Sequence, residues 1–231
     1  MQTGIELALV ANLAGSLVSG LVAIYLLNLW NKQEQRLYTD LPLIFSITFI
    51  AMALNAMMQY LTIGGLLPDT MEVFRLRSII ISGSALPLLV ALLSIWLPRI
   101  EKYHTRIMIV SATYWLLVSF LGTSQSLIMS LLIPLLLVFS LGMLVTFGIT
   151  WKTGRLKEVR SDLMVLSLAI GFISQALKLP LQSAGLDWLV VSIAAVTAVI
   201  AAIALANPWY HRSLAGSIAT AEDHSLLIGG Y

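Results

Sequence analysis

Apolar residues in this chain come in long unbroken runs, not in alternation. Seven runs can be read, at 5–29, 41–63, 77–97, 107–122, 127–150, 163–185 and 188–207, separated by short polar stretches. Most reach the roughly 20 residues that cross about 30 Å of hydrocarbon at 1.5 Å per residue. Within lipid every backbone N–H and C=O must be satisfied inside the segment, so runs of this length predict helices. The fourth, IMIVSATYWLLVSFLG, is the shortest. The pattern predicts an all-α integral membrane protein with seven transmembrane helices.

The runs also repeat. FIAMALNAMMQ at 49–59 aligns with FISQALKLPLQ at 172–182, with identities at Phe49/Phe172, Ile50/Ile173, Ala53/Ala176, Leu54/Leu177 and Gln59/Gln182. Upstream, Trp30 and Asp40 correspond to Trp151 and Asp162; downstream, runs end at Pro98 and Pro208. A period this long points to duplicated halves and not to a solenoid. The expected layout is 3+1+3: a first three-helix repeat at 1–106, a linker helix four at 107–123, a second repeat at 124–212 and a tail at 213–231. One linker helix turns the chain back, so the two triplets share an orientation.

Composition agrees with lipid exposure. Of 231 residues, 59% are hydrophobic and only 10% charged, against about 25% charged in soluble domains. No connecting segment is long enough for a soluble catalytic domain. Ten of the 13 lysines and arginines (Lys32, Arg36, Arg99, Lys102, Arg106, Lys152, Arg155, Lys157, Arg160 and Arg212) fall on one side of this layout. Arg75, Arg77 and Lys178 fall on the other. The positive-inside rule then predicts a cell-membrane protein with its N-terminus outside and its C-terminus cytoplasmic. Trp30, Trp96, Trp151 and Trp209 lie at the expected cytoplasmic helix ends, as an aromatic belt would. The first run lacks a basic leader and is too long for a signal-peptide core, so it is expected to be retained.

Polar side chains inside such runs are costly and mark candidate sites. Asn55 and Gln59 lie one turn apart in the second run; Lys178 and Gln182 occupy the aligned positions in the sixth. Their i, i+4 spacing puts each pair on one helix face. If the repeats pack about a pseudo-two-fold axis, all four are expected to line one outward-facing cavity that binds a small polar or anionic solute. Gln175 and Tyr60 are further lining candidates. The competing expectations are that Lys178 snorkels to the headgroups and that the amides are interhelical glue, at about 1 kcal/mol each. Glu6, Asp69, Glu72 and Asp187 could partner Lys178. Pro87, Pro134 and Pro180 are hinge candidates, Pro87 beside the small residues Ser82, Gly83 and Ser84; close helix packing is the plainer account.

Other chemistries find little footing. Cysteine is absent, which excludes disulfides and thiolate metal sites. The histidines, His104, His211 and His224, all lie outside the runs, so neither a haem sandwich nor a metal site is expected. No nucleophile elbow or Walker loop occurs. No catalytic residue, cofactor or enzymatic activity is expected. The basic stretch WKTGRLKEVR (151–160) could meet anionic lipid or a cytoplasmic partner, though it also simply satisfies the positive-inside rule. It carries no nucleic-acid signature.

The layout resembles that of SWEET and PQ-loop carriers, and more loosely that of microbial rhodopsins. The resemblance spans the whole chain and is architectural. The chain has Pro180-Leu181-Gln182 but no Pro-Gln pair, and its seventh run, WLVVSIAAVTAVIAAIALA, lacks the lysine that holds retinal in rhodopsins. Three readings follow: a small-solute transporter or pore, a seven-helix sensor signalling to a cytoplasmic partner, or a subunit of a larger membrane complex.

Overall fold

A computed structural model describes residues 2–33, 36–154 and 159–207. The Gln182 side chain, residues 155–158 of the basic loop, and the tail after 207 with Arg212 and its two histidines lie outside the described residues. All described secondary structure is helical: α1 (Gln2–Asn31), α2 (Leu41–Ile63), α3 (Met71–Trp96), a 3₁₀ turn (Pro98–Ile100), α4 (Glu101–Leu121), α5 (Gln125–Thr153), α6 (Ser161–Ala176), α7 (Lys178–Ser183) and α8 (Asp187–Ala206).

The helix ends follow local chemistry. Pro42 sits in the first turn of α2, where its missing N–H is harmless. The Thr70 and Ser124 hydroxyls accept from the backbone N–H groups of Val73 and Leu127, capping α3 and α5. α5 ends on Gly154 in the left-handed region, at φ 62°. Two helices start a full six residues before their apolar runs. α3 begins six residues before the run because Arg75 and Arg77, which interrupt hydropathy, are still helical. α4 takes in the polar turn Glu101–Arg106. The sixth run is broken in two at Leu177, with Pro180 just beyond. Pro180 can give no N–H to the Ala176 carbonyl, so the ladder cannot continue unchanged. Pro87 and Pro134 lie within α3 and α5.

Six of the helical segments are long and apolar enough to cross a membrane. The distribution of polarity says what surrounds them. Val10, Leu21 and Val110 are 66%, 67% and 68% exposed, whereas Asn12, Ser46 and Ser119 are 1%, 0% and 0% exposed. A water-soluble bundle would place these the other way round. With apolar groups outward and hydroxyls and amides inward, the chain is a multi-pass membrane protein.

The helices close a ring. α1 packs on α2, α2 on α3, α3 on α5, α5 on α6, α6 on α8, and α8 back on α1. α4 stands outside the ring against α3 and α5, and α7 caps α6 and α8. α2 and α6 lie across the ring and do not touch. Interhelical hydrogen bonds tie the ring: the Ser16 and Ser46 hydroxyls donate to the Ala53 and Ala23 carbonyls, both at 3.0 Å. Ser167 donates to the Thr197 carbonyl at 2.8 Å, and Trp96 Nε1 to Thr146 Oγ1 at 2.7 Å. Each such bond stabilises a membrane bundle by about 0.6–2 kcal/mol. Gly15 allows the tightest approach in the α1–α8 seam, since a Cβ there would sit 2.8 Å from Val191 Cγ1.

One end of the ring is solid. Leu26, Ile44, Met143, Phe147, Met164, Ala198 and Ala204 are almost wholly buried in one cluster with Phe45, Phe49 and Leu88. A second cluster around Trp115, Ile128 and Leu132 seals α4 onto α3 and α5. Trp115 Nε1 donates to the Ser78 carbonyl at 2.8 Å, and the Ser78 and Ser119 hydroxyls are 2.8 Å apart.

Candidate functional site

At the other end the ring is hollow. A cavity of about 600 Å³ runs down its axis, with lining residues from α1 through α8. Its mouth carries Asp69, Gln125 and Gln175, all exposed. Its floor is Phe45, Phe49, Leu88 and Ala201, the upper layer of the solid cluster. The lining positions recur at helical spacing, as in Phe45, Thr48, Met52, Asn55, Gln59 and Thr62 on α2, so each helix turns one face to the cavity.

Of the residues singled out from sequence, Asn55, Gln59 and Lys178 line this cavity together, Asn55 and Gln59 from α2 and Lys178 from the start of α7. Gln175 lines it too; Tyr60 is not among the lining residues. Ser84 is the member of the Ser82–Pro87 stretch that reaches it. Of the acidic residues considered as company for Lys178, Asp69 lies on the same mouth.

Arg77 was read from sequence only as a topology signal, yet it enters the cavity from α3. Its Nε donates to Asn55 Oδ1 at 3.3 Å. That is its one hydrogen bond among the described residues, and the partner is neutral. A guanidinium has five N–H donors, so four are left without a protein acceptor among the described residues. Asp69 is the carboxylate whose field it feels, without a direct ion pair. The sequence signal for Arg77 was weak because a cation near a helix end also satisfies a charge-placement rule.

Asn12 and Ser174 were not foreseen either. Asn12 is 1% exposed, and its Nδ2 donates to the Ala8 carbonyl at 2.8 Å. Among the described residues its Oδ1 has no partner, and neither has the Ser174 hydroxyl, which is 4% exposed. Both residues line the cavity. A buried polar atom left unsatisfied costs about 1–3 kcal/mol. An amide inside an apolar run was the available signal for Asn12, the same one that marks Asn55.

These groups gather around the hollow end of the ring. The Ser16–Ala53 bond puts Asn12, one turn back along α1, beside the Asn55–Gln59 stretch of the antiparallel α2. Arg77 meets Asn55, and Ser174 lies one turn before Lys178. The result is a polar belt near the mouth. Below it most hydroxyls are already engaged: Thr48 donates to Ile44, Ser84 to Ile81, Ser167 to Thr197 and Thr197 to Ala194, all backbone carbonyls, which leaves Ser19 and Ser140 on the wall. The belt can hold charge; the chamber beneath offers mostly hydrocarbon. Among the described residues no group of His, Asp and Glu side chains is placed to hold a metal ion.

Comparison with protein-family models, with curated proteins and with solved structures finds no match.

Proposed function

We propose that this protein is a small-solute carrier of the cell membrane that binds a polar or anionic solute in the cavity, with Arg77 added to Asn55, Gln59, Lys178 and Gln182 as the binding residues. The observation that carries the reading is the cavity itself: wide at one end, solid at the other, with a guanidinium whose one hydrogen-bond partner is neutral. A carrier caught facing one side has this form, because alternating access needs one closed gate at a time.

The ring supports a 3+1+3 duplication. Exchanging α1, α2 and α3 with α5, α6 and α8 maps every seam of the ring onto another seam: α1–α2 onto α5–α6, α2–α3 onto α6–α8, and α3–α5 onto α8–α1. α4 is left over, as a linker would be. Asn55 and Lys178, aligned in sequence, face the same cavity. On this reading the open end is outside, and the solid end, flanked by the basic loops, is cytoplasmic. Rocking of one triplet against the other would open the solid end, with Pro87, Pro134 and Pro180 as places where the helices can flex.

The test is solute uptake by the purified protein in proteoliposomes, with Arg77→Gln and Lys178→Met beside the parent. Flux of an organic anion that falls strongly in both variants, with folding retained, is the expected result. Lys178→Met with full flux removes that residue from the site. No flux for any solute, together with a cytoplasmic protein that co-purifies in a ligand-dependent way, selects the sensor reading. Topology is checked separately. The chain has no cysteine, so a single cysteine at 66 is expected to react with an impermeant label in intact cells, and one at 152 is not.

A further inference from the structure

We infer that the solute is a zwitterion with an apolar body, the simplest such molecule being an apolar α-amino acid. The inference rests on the reading of this cavity as a solute site, and it deepens that reading by naming the chemistry the belt and chamber select.

A simple anion would satisfy only half of the belt. Arg77 and Lys178 present cationic donors to the cavity, and a carboxylate between them gains charge-assisted hydrogen bonds. The unpartnered Asn12 Oδ1 is an acceptor buried in the cavity wall, within a ligand's reach once the side chain turns inward. A carboxylate has no proton to give it, whereas an ammonium does. Ser174 Oγ, also unpartnered, can accept as well, and Asp69 supplies the negative charge that an ammonium needs nearby. Two cations, one carboxylate and two orphaned oxygens around one cavity thus match a head bearing both charges on adjacent carbons.

The rest of the molecule must be apolar. Below the belt the wall is mostly Phe49, Met52, Leu132, Leu136 and Phe172; the Thr48, Ser84 and Ser167 hydroxyls there donate to helix carbonyls, and Ser19 and Ser140 are the further hydroxyls of the wall. A second polar group carried there would lose water and find at most the two serine hydroxyls, Ser19 and Ser140, in exchange. The head therefore stays at the belt and the side chain points to the floor. Cavities of roughly 300–1,000 Å³ suit small organic ligands, and about 600 Å³ falls inside that range.

The experiment is binding of four probes to the full chain in nanodiscs, measured by equilibrium dialysis. The probes are L-phenylalanine, 3-phenylpropionate (no ammonium), 2-phenylethylamine (no carboxylate) and L-serine (no apolar body). Phenylalanine is expected to bind about tenfold or more tighter than each of the others, because each lacks a charged partner or the buried body. Asn12→Leu should abolish the preference over phenylpropionate, and Arg77→Gln the preference over phenylethylamine. Asn12→Ala serves the same purpose if the leucine variant does not fold. The proposal is overturned if phenylpropionate or serine binds as tightly as phenylalanine, or if none of the four binds to folded protein. Proteoliposome flux separates this from the carrier reading. Phenylalanine that binds in this pattern without crossing defeats transport and leaves the head-group assignment standing. Flux of another solute with no binding of the four defeats the assignment and leaves transport standing.

Discussion

Along α2 the face turned to the ring axis changes character midway. Ile44, Phe45 and Phe49 belong to the solid cluster, while Asn55, Gln59 and Thr62 line the hollow end. α6, across the ring, makes the same change: Met164 is fully buried in the cluster, and Ser174 and Gln175 lie at the hollow end. Both helices thus carry packing at one end and polar groups at the other, and the two polar ends meet in one cavity. The comparison separates two kinds of residue that composition cannot distinguish. At the solid end a side chain matters for the volume it fills. At the hollow end it matters for the hydrogen bonds it leaves open.

The largest test of that contrast lies in the solid end. Phe147 is 0% exposed, and Phe147→Ala should destabilise the bundle by about 3–5 kcal/mol, seen as a lower unfolding midpoint in detergent. Solute binding by the folded fraction should be unchanged. A variant that loses affinity without losing stability would erase the division between the ends. Arg77→Gln is the mirror experiment. It should weaken binding of an anionic head by about 1.5–3 kcal/mol, the value of a hydrogen bond to a charged group, with little change in the melting temperature. A large stability loss instead would make Arg77 a structural residue tied to Asn55.

A smaller effect is expected at the seam that spans both ends. Gly15→Val places methyl groups against Val191 and should cost about 1–3 kcal/mol through overpacking. Gly20→Ala, where nothing lies within 4 Å of a new Cβ, is the control and should not lower the midpoint. The smallest is Trp96→Phe, which removes the 2.7 Å bond to Thr146 Oγ1. It should lower stability by about 0.5–1.5 kcal/mol and leave binding alone.

Much of the architecture was legible because lipid demands long apolar runs, and six of the seven runs became helices long enough to span; the sixth became the shorter pair α6 and α7. The misreadings share one cause. Hydropathy marks where a helix meets hydrocarbon, not where the helix begins. Arg75 and Arg77 therefore fell at the edge of the third run although Thr70 caps the helix ahead of them. Lys102, His104 and Arg106 were set outside the fourth run although α4 includes them. The sixth run read as continuous because Leu177 and Leu181 kept it apolar through the break beside Pro180. In the candidate site, Asn55, Gln59 and Lys178 were legible as polar groups in apolar surroundings. Asn12 and Ser174 gave a fainter signal. Small polar residues usually bond to their own helix, and only the structure shows that these two oxygens have no partner.

The break at Leu177 decides where the Lys178 cation stands. Lys178 is the first residue of α7, parted from the end of α6 only by Leu177, so its backbone belongs to the joint between the two helices. The six residues of α7 span roughly 9 Å at 1.5 Å per residue. The helix is fastened at its far end, where it packs on α8 and the Leu186 N–H donates to the Leu181 carbonyl. An interruption that looks like a defect in a membrane span thus serves as the bracket that holds a charge at the cavity.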